Sequence, residues 1–138
     1  MTKTKASSFS RNARAKDERQ YTDGPVTDMA CIRVEYGRFE EYVDCLNSTW
    51  KPTMAAMKEA GLIIDYKLCT ATPNSPEQPN VFLLIAYENM AALDKGIELE
   101  EVAKKVIGST EVQNEARVGR NEYRTVLGSE LIRELILK

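Results

Sequence analysis

Hydrophobic and polar positions alternate with a period of two from Ala30 to Tyr36: Ala30, Ile32, Val34 and Tyr36 fall on one side, Met29, Cys31, Arg33 and Glu35 on the other. That pattern predicts a first strand with unlike faces. After Gly37 the apolar residues Phe39, Tyr42, Val43, Leu46, Trp50, Met54 and Met57 recur at helical spacing and form one stripe. Gly61 follows as the expected cap. Pro52 lies inside the stripe, so the helix must kink or restart there, because proline offers no amide donor and crowds the preceding turn. Leu62, Ile64, Tyr66 and Leu68 alternate again and predict a second strand that ends near Thr70.

A connection with Pro73, Pro76 and Pro79 leads to Val81–Tyr87, which is apolar at both parities. A strand of that kind is buried on both faces and belongs at the centre of a sheet. Asn89 is placed to cap a short helix through Leu93, a second piece runs from Ile97 to Ile107, and Thr110 with Gln113 has capping-box spacing for a third from Glu111 to about Asn121. After an expected turn at Gly128-Ser129, residues Leu131 to Leu137 read as a final strand, with a terminal helix as the rival. The order of strand, long helix, two strands, broken helix and strand predicts an α+β, ferredoxin-like βαββαβ fold. Such a fold is a four-stranded antiparallel sheet with its helices on one face. The other face keeps Met29 and Cys31, so a second copy of the chain is expected to cover it in a homodimer.

Composition bounds the organisation. The 138 residues, 43% of them apolar, suffice for one self-supporting domain. Residues 1–20 hold six basic and two acidic residues, whereas the rest of the chain is acidic. The expectation is a flexible basic arm over 1–25, without an apolar leader region, on a domain over 26–138. No apolar run approaches the roughly 20 residues that span a bilayer, so no membrane is expected as a partner. The arm has too few aromatics to suggest a nucleic acid.

Several chemistries are excluded outright. The chain has no histidine, which removes Ser-His and Cys-His pairs and the commonest metal ligand. Cys31, Cys45 and Cys69 form no CxxC pair and read as free thiols in a reducing compartment, hence a cytoplasmic expectation. The seven glycines are too far apart for a phosphate-binding loop. No cofactor and no metal are expected.

Element order, the Trp50-Lys51-Pro52 step in the long helix and the passage from Val81 to Leu93 make residues 26–138 resemble the dimeric α+β barrel superfamily. The resemblance implies either a protein that binds a small apolar or aromatic molecule between sheet and helices, or a cofactor-independent monooxygenase or isomerase acting on an aromatic or polyketide-like substrate. Haem-degrading members use an asparagine, a tryptophan and an iron-ligating histidine; Asn47 and Trp50 are present here but the histidine is not. The ligand-binding residues expected are Trp50, Tyr36, Tyr42, Asn47 and Tyr66, with Arg33 as a cation for an acidic substrate. Each has an alternative reading: the aromatics as core packing, and Arg33, with Glu35, Asp65, Lys67 and Arg133, as cross-strand ion pairing. Glu100 and Glu101 stand four residues before Lys104 and Lys105, the pattern of a solvated helix face.

Overall fold

The computed structural model describes residues 18–138. The basic arm expected at the start of the chain lies, for residues 1–17, outside the described residues. The elements are β1 (Tyr21–Val34), α1 (Phe39–Cys45), a π-helical turn (Leu46–Trp50), α2 (Lys51–Glu59), β2 (Asp65–Thr70), β3 (Val81–Tyr87), a 3₁₀ turn (Met90–Asp94), α3 (Gly96–Val106), α4 (Thr110–Arg120) and β4 (Arg124–Leu137). The sheet order is β2-β3-β1-β4 and all three pairings are antiparallel. This is the expected ferredoxin-like α+β arrangement, with doubly apolar β3 in an inner position.

Strand register divides the side chains between two faces. Ile32, Val34, Val81 and Leu83 pack with Tyr42, Leu46 and Tyr123 in one buried cluster; Met54, Met57, Ile63 and Tyr87 form a second. Trp50 is half-buried and touches both. On the other face Met29 pairs with Leu84 and Cys31 with Phe82, so the second apolar row lies on the side away from these clusters. The end of β1 is held by a side chain that imitates a strand: the Val34 amide donates to Asn80 Oδ1 at 2.9 Å, and Asn80 Nδ2 donates to the Val34 carbonyl at 3.0 Å.

Four boundaries differ from the sequence expectation. β1 starts at Tyr21, because Tyr21–Asp23 pair with Leu135–Leu137 across an irregularity at Gly24-Pro25. It stops at Val34, before Tyr36, where Gly37 takes a positive φ of 86° and turns the chain into α1. Gly128-Ser129 is not a turn. Gly128 has φ 141° inside β4, beside the register shift opposite Cys31 and Ile32, so the glycine marks a bulge in a continuous strand. At α4 the capping oxygen comes from Ser109, which accepts from the Val112 amide at 3.3 Å, while Gln113 donates instead to the Gly108 carbonyl at 3.0 Å. Asn89 caps the 3₁₀ turn as expected, accepting from the Ala92 amide at 3.1 Å. No helix among the described residues is long and apolar enough to cross a membrane.

Candidate functional site

Pro52 shapes the site from a distance of a few residues. Its missing amide cannot close an ordinary helical bond, and the chain answers with a wider turn in which the Lys51 amide donates to the Leu46 carbonyl, five residues back. The hydroxyls of Ser48 and Thr49 both donate to the Cys45 carbonyl, at 3.0 and 2.9 Å, and Thr53 donates to Thr49 at 2.7 Å. These bonds satisfy the irregular backbone from within. The restart at Lys51 is therefore a register change in one continuous helical run, and Trp50 is its last π-helical residue.

Trp50 separates two cavities. The larger, of about 310 Å³, lies between the sheet and the helices: Leu46, Trp50, Met54, Met57, Leu83 and Ile107 make its apolar wall, and Thr49, Thr53, Gln113, Arg117, Arg120 and Arg124 bring polar groups to it. The smaller, of about 180 Å³, is bounded by Val43, Leu46, Asn47, Trp50, Lys51, Tyr66, Lys67 and Leu68. Trp50 and Tyr66 meet edge to face across the wall, with ring centroids 5.5 Å apart and planes at 87°. Such a contact fixes the indole without using its N–H.

Of the residues expected from sequence, Trp50, Asn47 and Tyr66 come together at the smaller cavity, and Trp50 also faces the larger. Tyr42 does not line either: it is fully buried in the core, with its hydroxyl accepting from Arg124 Nη1 at 3.1 Å. Tyr36 and Arg33 also lie away from both cavities. Tyr36 projects from the turn after β1 with 105% relative exposure, because the strand has already ended. Arg33 belongs to the row with Met29 and Cys31 and donates from Nη1 to the Glu77 carbonyl at 3.1 Å, tying down the proline-rich connection.

Sequence reasoning missed the arginines that line the larger cavity. Arg117 and Arg120 come from the last turn of α4, and Arg124 opens β4. Arg120 Nη1 lies 3.7 Å from Cys45 Sγ; Arg124 also donates from Nε to Asn121 at 3.4 Å and stands over the Tyr42 ring. Tyr123 is buried beside them; desolvation pushes its hydroxyl above the ordinary phenol range, aided by Cys45 and Glu41 and opposed by Arg120 and Arg124. Among the described residues no carboxylate lines this cavity. Among the described residues no cluster of His, Cys, Asp or Glu is suited to hold a metal ion.

No protein-family model matches the chain, and no curated protein matches it in sequence. Solved structures do share its fold. A dimeric ferredoxin-like protein from an uncultured marine organism superposes with a TM-score of 0.52 at 10% identity, over 85% of this chain and 90% of that one. A Shewanella oneidensis protein gives 0.50 at 18% identity, over 84% and 96%. A Caulobacter crescentus protein described as a candidate antibiotic biosynthesis monooxygenase gives 0.40 at 18% identity, over 90% and 98%, too low a score to carry chemistry across. At these identities the likeness concerns the backbone: the chain has the α+β fold of the dimeric ferredoxin-like proteins.

Proposed function

We propose that the chain binds a small apolar or aromatic molecule in the cavity between sheet and helices, beside Trp50. The observation that carries this reading is the cavity itself, about 310 Å³ with an apolar wall and a few convergent polar side chains, the combination that small-ligand sites use. Because Trp50 is the single tryptophan, its fluorescence reports occupancy directly. Titration with 2-(hydroxymethyl)anthraquinone or with its carboxylate analogue is expected to quench it saturably, whereas quenching by both that grows linearly without saturation overturns the reading.

The same reading includes a homodimer. Met29, Cys31, Phe82 and Leu84 form an apolar patch on the face away from the core clusters, and Ile132, in register with Thr27 on that face, and Ile136 extend it along β4 with exposed apolar surface. A second copy presenting the same patch is the occupant that closes such a surface by two-fold symmetry. The dimeric state of the marine neighbour supports the proposal.

A catalytic reading is favoured by the arginines at the cavity. Cations beside an apolar wall hold an enolate or phenolate in its ionised form, which is what a cofactor-independent monooxygenase or an isomerase acts on. Oxygen uptake or isomer formation with ionisable aromatic ketones and quinols separates an enzyme from a binding protein.

A further inference from the structure

We propose that the molecule taken up beside Trp50 is an amphiphilic acid, an aromatic or apolar body with one anionic oxygen headgroup, and that Arg117, Arg120 and Arg124 hold the headgroup. This rests on the cavity being a ligand site and specifies the ligand's class. The wall is apolar where Trp50, Met54 and Leu83 line it, and its charged members are all of one sign.

The three guanidinium groups keep free donors, with Arg117 exposed to water and Arg120 and Arg124 half-buried. Each has five N–H donors in a fixed fork. Arg120 makes one weak contact to a thiol at 3.7 Å, and Arg124 uses one donor on Tyr42 and one on Asn121. None of the three lies within 4.0 Å of a carboxylate among the described residues. Two other arginines among the described residues have carboxylate partners: Arg38 grips Glu41 with contacts of 2.6 and 3.0 Å, and Arg133 lies 3.8 Å from Asp23. Acidic residues outnumber basic ones, 21 to 19, so three cations lining one cavity without a carboxylate go against the composition.

Stabilisation of the α4 C-terminus is the competing explanation, since cations in a last turn offset the helix dipole. It accounts for Arg117 and Arg120. It does not account for Arg124, which lies on β4, or for all three lining the same wall as Trp50. Like charges brought together beside apolar surface repel one another, and a bound carboxylate or ionised enol relieves that repulsion while accepting forked hydrogen bonds.

The test compares two probes of nearly the same shape, anthraquinone-2-carboxylate and 2-(hydroxymethyl)anthraquinone, by quenching of Trp50 at neutral pH and low salt. The carboxylate is expected to bind at least about tenfold more tightly, in line with hydrogen bonds to a charged group. The double variant Arg117→Gln/Arg120→Gln should remove most of the carboxylate's advantage over the alcohol and lower the alcohol's own affinity much less. Equal affinities in the unmodified protein overturn the acid class while leaving the cavity as a ligand site. Loss of both probes in the double variant, with circular dichroism unchanged, assigns the arginines to shaping the wall and overturns their role as headgroup ligands. If neither probe quenches saturably, the cavity reading fails and this inference falls with it.

Discussion

Arg124 donates to the Tyr42 hydroxyl at 3.1 Å, joining the first residue of β4 to the fully buried aromatic of α1. This bond satisfies the only polar atom of the Tyr42 side chain and holds a cavity arginine by a core residue. Tyr42→Phe keeps the ring and removes the acceptor, so unfolding in urea should show a loss of about 0.5–1.5 kcal/mol. Tyr42→Ala empties a core position and should cost about 3–5 kcal/mol. Similar losses for the two variants would mean that the hydroxyl, and not the ring, carries Tyr42's contribution.

Asn80 should be nearly irreplaceable at the end of β1. Its side-chain amide pairs with both the N–H and the carbonyl of Val34, which is buried. Asn80→Ala leaves both backbone groups unpaired, at about 1–3 kcal/mol for each group that water cannot reach. Asn80→Asp can keep the acceptor for the Val34 amide but sets a carboxylate oxygen against the Val34 carbonyl, so it should not rescue stability. Thermal unfolding of both variants checks this, and an aspartate variant as stable as the parent would contradict it.

Much of the fold was legible because its signals are local. Alternation in Ala30–Val34, the doubly apolar Val81–Tyr87 and the helical stripe ending at Met57 each reflect one element meeting one core. The sequence failed where tertiary pairing overrides a local breaker. Gly24-Pro25 and Gly128-Ser129 look like punctuation, yet both sit within the β1–β4 pairing, where a long partner strand bridges the irregularity. The place of Trp50 on the core-facing side of the helical run was legible because apolar periodicity sets it. Arg117, Arg120 and Arg124 were not, because charges on a short amphipathic helix and at a strand start look solvated until the fold brings them to one wall.

Close contact at Gly24 gives a prediction on the β1–β4 pairing. A Cβ there would stand 3.0 Å from the Glu134 carbonyl oxygen and 3.2 Å from its Cβ, so backbone must move to admit it. Gly24→Ala should cost about 1–3 kcal/mol, as overpacking does. Hydrogen exchange should be faster at the amides of residues 21–23 and 135–137 than in the parent. Exchange unchanged there would show that the pairing absorbs the methyl group.

Asp28 carries a pH dependence. Desolvation raises its carboxyl pKa above the ordinary 3.8, and its side chain accepts no hydrogen bond from the described residues. Because the folded pKa lies above the unfolded one, the native state keeps the proton longer. This contribution to stability is full below 3.8, declines as pH rises to the folded pKa, and is absent above it. Asp28→Asn removes the charge that burial penalises, so it should raise the melting temperature at pH 7 and change it little below pH 3.8. A variant destabilised at pH 7 would mean that the ionised carboxylate is held by a favourable partner.

The apolar patch opposite the core makes the assembly testable at single residues. Phe82 is flanked by Cys31 on β1 and Cys69 on β2, and Leu84 by Met29 and Lys67, so these two side chains occupy the middle of the face that a second copy is proposed to cover. A charge in that interior loses water without gaining a partner, which costs several kcal/mol per buried ion, and two-fold symmetry applies the cost twice. Leu84→Asp should therefore give monomers in sedimentation velocity at micromolar concentration, while the parent sediments as a dimer. The substitution lies on the face away from Tyr42 and Trp50, so far-ultraviolet circular dichroism should stay close to that of the parent. Lys67→Glu alone probes the edge of the same patch and should weaken association less than Leu84→Asp, because β2 is an edge strand whose Lys67 is exposed to water. A parent that sediments as a monomer, or a Leu84→Asp variant that remains dimeric, would move the interface away from this face.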